Sequence, residues 1–83
     1  MKYVYPAVIT RDKEIPTAFN VVFPDIIAGY TCGDSFDDAL FMAKDLLKLM
    51  IEEVPAQVFP PSTVEDLEKD YPKEDIYFIE VEI

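Results

Sequence analysis

The sequence predicts an α+β fold, and three observations carry that reading. Short runs of alternating or β-branched apolar residues open the chain at 2–10, recur at 17–23 and close it at 75–83. One stripe of apolar residues repeats at helical spacing from Phe36 to Glu53. Gly29, Gly33 and most prolines (Pro16, Pro24, Pro55, Pro60 and Pro61 among them) fall between those segments, where the chain must turn.

Residues 2–10 are rich in Tyr, Val, Ile and Thr, the composition of a strand. Both faces are apolar enough for partial burial, and Pro6 predicts an edge or a bulge. Arg11 to Pro16 reads as a charged hairpin loop. In the second strand, 17–23, Phe19, Val21 and Phe23 share one face, with Asn20 and Val22 on the other. Phe23 closes it, because Pro24 cannot donate to a continuing ladder. A short third strand is expected near Gly29–Cys32. Ser35 then reads as a helix N-cap with Asp38 at the capping-box position.

From Phe36 the helical period places Phe36, Ala39, Leu40, Ala43, Leu46, Leu47, Met50 and Ile51 on one stripe, the expected core face. Asp37 and Asp38 suit the positive end of the helix dipole, and Pro55 marks the end. Val54 to Pro61 reads as an extended connector or spacer. A second, short helix is expected over 63–70, capped by Ser62 with Glu65 completing the box. The last strand, 75–83, alternates Tyr77, Ile79, Val81 and Ile83 with Phe78, Glu80 and Glu82.

The block from Phe23 to Leu40, FPDIIAGYTCGDSFDDAL, resembles the N-terminal domain of HicB-type antitoxins, together with YPAVITRDKE before it and the Leu-rich helix after it. The matching residues are Tyr5, Pro6, Asp12, Glu14, Phe23, Pro24, Asp25, Gly29, Gly33, Asp34, Asp37, Asp38 and Ala39. Ile27-Ala28 departs from the Leu-Pro usual there, and Tyr30 stands where Cys is common. The resemblance implies a partial ribonuclease-H-like layer: a three-stranded antiparallel sheet, a long helix across one face, a short second helix and a C-terminal strand joining the sheet. Residues 1–83 are expected to be a single such domain without the DNA-binding module many relatives append, so autorepression by this chain alone is not expected.

Composition narrows function further. Seventeen acids against seven bases give a net charge of −10. Such a chain is repelled by phosphate backbones and attracted to basic proteins, so no direct nucleic-acid binding is expected. The absence of histidine removes His-based triads and the commonest metal ligand. One cysteine, Cys32, fits a reducing cytosol. No apolar run approaches the ~20 residues of a membrane span, and no signal peptide opens the chain, so a cytoplasmic protein without membrane contact is expected. A core this small is marginal, and a homo-oligomer is expected to help it.

Catalysis and cofactors are not expected. Asp12, Glu14, Asp25 and Asp34 are the acids that could gather near strand ends for two-cation hydrolysis. Each also has a simpler role in a turn or at a cap. Cys32 has no histidine partner and an acidic neighbourhood, which reads as a structural thiol.

Three apolar residues miss the core stripe: Met42 and Leu49 share one flank, and Phe41 sits among charges. They are ordinary surface residues or contact residues. From Glu65 to Glu82 there are eight acids and two lysines. That tract is a solvated face, or it docks a basic partner. The resemblance implies such a partner, a small basic HicA-type toxin that cleaves messenger RNA and is neutralised by occlusion of its active surface. Phe41, Met42, Leu49, Glu65, Asp66, Glu68 and Asp70 are the candidate partner-binding residues, chosen by their misfit to the core. The alternative is a non-catalytic orphan module that self-associates through the same flank.

Overall fold

The computed structural model describes residues 1–83. Four strands, β1 (Lys2–Arg11), β2 (Phe19–Val22), β3 (Tyr30–Gly33) and β4 (Ile76–Glu82), form one antiparallel sheet in the order β3-β2-β1-β4. Helix α1 (Phe36–Glu53) crosses one face, and a single-turn helix α2 (Val64–Leu67) lies in the return to β4. The sequence reading counts three strands in the sheet, with a fourth joining it. In the structure the fourth is a full member. It pairs with β1 from Lys2↔Glu82 to Val8↔Ile76, a longer ladder than the one joining Val8–Arg11 to β2.

That arrangement explains a proline in a central strand. At the open end of the ladder the Ile83 amide donates to the Met1 carbonyl, and the Met1 amine donates back to Ile83. Hydrogen-bonded pairs alternate along an antiparallel ladder, so Tyr77, Ile79 and Val81 also turn their backbone groups to β1. Pro6 faces Phe78, a residue of the opposite parity. Its nitrogen therefore points to the other side, where pairing with β2 has not yet begun. Pro6 occupies a local edge inside a central strand, and its missing N–H costs no ladder bond.

The core forms between α1 and the sheet. Tyr5, Ala7 and Ile9 of β1, Val21 of β2, Phe23, and Ile79 and Val81 of β4 meet Ala39, Ala43, Leu47 and Met50. Those positions are the expected stripe and the expected strand faces. Burying Leu47 completely contributes about 2 kcal/mol by itself. Phe36 bridges strands at the upper rim, its ring 5.5 Å from that of Phe19 and 5.2 Å from that of Tyr77. Ser35 caps α1 as expected, accepting from the Asp38 amide at 3.1 Å. Asp38 reaches back one residue further than a standard box, to the Asp34 amide at 2.9 Å.

Three local expectations are corrected. Neither glycine adopts positive φ; the left-handed residue of the turn before β3 is Ala28, at φ 59°. Gly29 is required by proximity instead, since a Cβ there would lie 2.7 Å from the Ile26 Cβ. Val54 to Pro61 is no free spacer. It makes a 3₁₀ turn at Pro55–Gln57 and pairs with the turn after β2: Ile27 donates to Gln57, Phe59 to Asp25, and Val58 bridges Ile26. The second helix is shorter than 63–70 and its cap is Thr63, which accepts from the Asp66 amide. Ser62 is unavailable as a cap because its amide and hydroxyl both donate to Asp25.

Tyr5 fastens this connector to the sheet. Its hydroxyl donates to the Phe59 carbonyl at 2.8 Å. Burial raises the hydroxyl's pKa above 10.0, and the nearby Asp25 charge and Tyr3 add to the shift. Tyr5→Phe removes the donor while keeping the ring, and should cost about 1 kcal/mol in urea unfolding. A change within a few tenths would show that water replaces the hydroxyl at no cost.

Candidate partner-binding surface

The outer face of α1 is where the amphipathic period leaves apolar side chains without a core to enter. Phe41 is 67% exposed and Leu49 51%. Met42 is half-buried, so it contributes less to this surface than the period alone implies. At ~100° per residue, Phe41, Asp45, Lys48 and Glu52 fall along one line of the helix. Asp45, Lys48, Leu49 and Glu52 line a shallow depression. The α1 flank is thus apolar at two points and carries mixed charge between them.

The acidic residues lie elsewhere. Glu65 and Asp66 occupy the first turn of α2, Glu68 closes it and Asp70 follows, all exposed. Leu67, buried at 6% exposure, holds that turn down, and Lys69 makes a 3.9 Å ion pair with Asp66. An exposed pair of this kind contributes little. The expected contact residues lie on two elements, Phe41, Met42 and Leu49 on α1 and the acids on and just after α2.

A third patch escaped the sequence reading. On the sheet face away from α1, Tyr30, Val22, Val8 and Ile76 form one cross-strand row through the pairs Val22↔Tyr30, Val8↔Val22 and Val8↔Ile76. Tyr30 is 71% exposed and Phe78, beside this row, 56%, while Val8 in the middle of the row is buried at 4%, so the exposed apolar surface lies at the ends of the row. The signal was present in the sequence, since Val22 and Phe78 alternate with the inward residues of their strands.

The acids considered for hydrolysis do not converge, and no three of the chain's acids and its thiol could hold one metal ion between them. Asp12 accepts from the Glu14 and Ile15 amides at 2.8 and 2.9 Å and from the Asn20 amide at 3.2 Å. These donors, the Ile15 amide foremost, hold its carboxyl below its ordinary pKa. Its chemistry is that of a loop brace. Glu14 stands beside it in the same loop. Asp25 ties down Ser62, and the Asp34 amide is consumed in the helix cap. Cys32 is a free, exposed thiol on β3. No helix is long and apolar enough to cross a membrane.

Comparison with known proteins places this geometry. Residues 5–83 match the family described as HicB-like antitoxin of bacterial toxin-antitoxin system. No curated protein matches the chain. Among solved structures, the chain is similar to the N-terminal domain of Burkholderia pseudomallei antitoxin HicB (TM-score 0.67, 20% identity, 98% of each chain covered). It is also similar to a chain of a toxin-antitoxin complex from Streptococcus pneumoniae (TM-score 0.69, 21% identity, covering 98% of this chain and 68% of that one). A third likeness is to a chain of the HicA3 and HicB3 toxin-antitoxin complex (TM-score 0.66, 26% identity, 98% of each covered).

Proposed function

The chain belongs to the HicB-like antitoxin family of bacterial toxin-antitoxin systems, and from that premise we propose that it captures and neutralises a small basic toxin of the HicA type. The family is the non-enzymatic component of such pairs, and occlusion of the toxin's active surface needs no catalytic group on this side. In this reading the partial ribonuclease-H-like layer serves recognition.

The observation that carries the proposal is the charge. A net −10 on 83 residues raises the encounter rate with a basic protein and disfavours nucleic acid as a direct ligand. Exposed apolar side chains then hold the complex once formed. Phe41 and Leu49 supply the apolar anchor, with Met42 behind them, and Glu65, Asp66, Glu68 and Asp70 supply the field. Because these groups lie on two elements, the partner either contacts both or uses the acids for steering alone.

The test is co-expression with a small basic toxin of the HicA type, followed by affinity capture and a growth assay. Capture with rescued growth supports neutralisation; neither would leave a self-associating module as the better reading. In the captured complex, Phe41→Glu with Leu49→Glu should weaken binding by at least ~30-fold, the scale of an interface hot spot, with unchanged circular dichroism. Undiminished affinity would remove the α1 flank from the interface. Binding should also weaken as salt rises.

A further inference from the structure

β4 is an edge strand with an open backbone. The alternation that turns Tyr77, Ile79 and Val81 to β1 turns Phe78, Glu80 and Glu82 outward, and no hydrogen bond in the structure reaches the N–H groups of these three. Ile76 alone among the outward residues is engaged, donating to the Lys73 carbonyl. Edge strands are ordinarily blunted by charged side chains (Lys above all), Pro, a bulge or a covering element, and on β4 the charges are Glu80 and Glu82, which repel an acidic strand and not a basic one. β4 contains no proline or lysine, its register to β1 runs without a bulge, and it lies at the end of the sheet. Its outward residues are also chemically graded. Ile76 and Phe78 are apolar at one end, while Glu80 and Glu82 are acidic at the other, their side chains exposed by 57% and 74%.

We propose that the free edge of β4 accepts an extended basic segment of a partner as a fifth, antiparallel strand. The graded side chains specify that strand. Read from its N-terminus it meets Glu82, Glu80, Phe78 and Ile76 in turn. Its residues on that face are therefore two bases followed by two apolar groups, at alternate positions. A second copy of β4 fits worse. Paired antiparallel about Ile79 it sets Phe78 opposite Glu80 and Ile76 opposite Glu82, and it gathers four carboxylates along one seam. Within the fold Glu80 and Glu82 each have one exposed cationic partner, Lys2 at 3.7 Å and the N-terminal amine at 3.9 Å. Charge complementarity selects the basic strand. The inference rests on the reading of the chain as the captor of a basic protein, and adds a backbone contact distinct from the α1 flank.

The parity of the ladder supplies a selective test. Glu80→Pro removes an outward N–H and leaves every β1 bond in place, a substitution an edge strand accepts. The probe is the capped peptide Lys-Val-Arg-Thr-Phe-Thr-Val, added to the full chain and followed by amide NMR. Binding should shift the Phe78, Glu80 and Glu82 amides and slow their exchange, and it should fall at least tenfold in Glu80→Pro. In that variant Tyr77, Ile79 and Val81 should keep their exchange protection. If Glu80→Pro fails to fold, Glu80→Lys with Glu82→Lys tests the same edge by charge, again with tenfold loss expected. Shifts centred on Phe41, or equal binding of a peptide carrying Glu in place of its bases, would overturn the proposal. So would a dimer that Glu80→Pro dissociates while the peptide leaves the wild type unmoved, which would make the occupant a second copy. The two readings fail separately. If Glu80→Pro captures a HicA-type basic toxin as well as wild type does, the edge is not used and neutralisation stands. If the peptide adds to β4 but no basic protein is captured, the edge stands without the antitoxin role.

Discussion

Gly33→Ala should destabilise the protein by about 3 kcal/mol or more, the upper range for overpacking a core. A Cβ at that position would lie 2.3 Å from the Ala39 nitrogen, 2.6 Å from its Cα and 2.7 Å from the Asp38 carbonyl carbon. These atoms are the backbone of the first turn of α1, so no rotamer change can relieve the overlap. Restoring ordinary contact requires β3 and α1 to separate by on the order of 1 Å. That separation would loosen Ala39 and Ala43, both completely buried beneath the helix. A domain of this length has roughly 4–12 kcal/mol of stability in total, so the variant sits close to unfolding. Urea titration followed by circular dichroism measures the loss. A shift under 1 kcal/mol would mean that the helix rides up without cost, and that its close approach to β3 is not a constraint.

Asp25→Ala should cost about 2–3 kcal/mol, and its effect should be local in origin. The carboxylate takes both the amide and the hydroxyl of Ser62, which lies thirty-seven positions away in sequence. Hydrogen bonds to a charged group contribute about 1.5–3 kcal/mol, and the partly buried Ser62 amide would be left without a partner. Asp25→Asn should lose less, because one carbonyl oxygen still accepts. A spectroscopic readout accompanies the stability change. The Asp25 charge helps hold the Tyr5 pKa above 10.0, so removing it should move the tyrosine titration down toward that value. The sign of the linkage follows. Tyr5 favours the folded state fully below pH 10.0, and that contribution disappears as pH rises through its raised folded value. Asp25→Ala should therefore shrink the loss of stability seen between those two pH values. An unchanged titration would place the carboxylate's influence elsewhere.

What the sequence disclosed follows the reach of each interaction. α1 and its buried face were legible to the residue, because a period of 3.6 and a serine cap are local properties. So were the inward residues of β2 and β4, which obey simple alternation. Asp25 and Ser62 were not. Both are turn-forming types, and nothing local distinguishes an aspartate closing its own turn from one holding a distant serine. That single bond also moved the cap of α2 to Thr63 and fixed a segment that reads as spacer. The glycines misled in a related way. Their absence of a side chain, rather than their backbone freedom, is what Gly29 and Gly33 supply, and only the approach of another element reveals it. Among candidate contacts, Phe41 and Leu49 stood out as misfits to the stripe and are exposed. Met42 is a misfit that the fold half-buries. Tyr30 and Phe78 passed unnoticed because their significance comes from neighbours across the sheet.

The placement of β1 between β2 and β4 has a consequence for synthesis. β1 leaves the ribosome before every other element of the domain, and β2 can join it soon after through a short hairpin. Its longer ladder must wait for β4, which is translated after α1 and the whole connector. Until then the nascent sheet carries an unpaired edge at its centre, on the strand whose side chains will anchor the core. Closing so distant a pair is entropically slow, and an incomplete sheet is prone to pair with the wrong strand. An acidic chain emerging from a polysome, one copy behind another, is kept from doing so by its own repulsion. The net charge of −10 thus opposes mispairing during the interval before the sheet is complete.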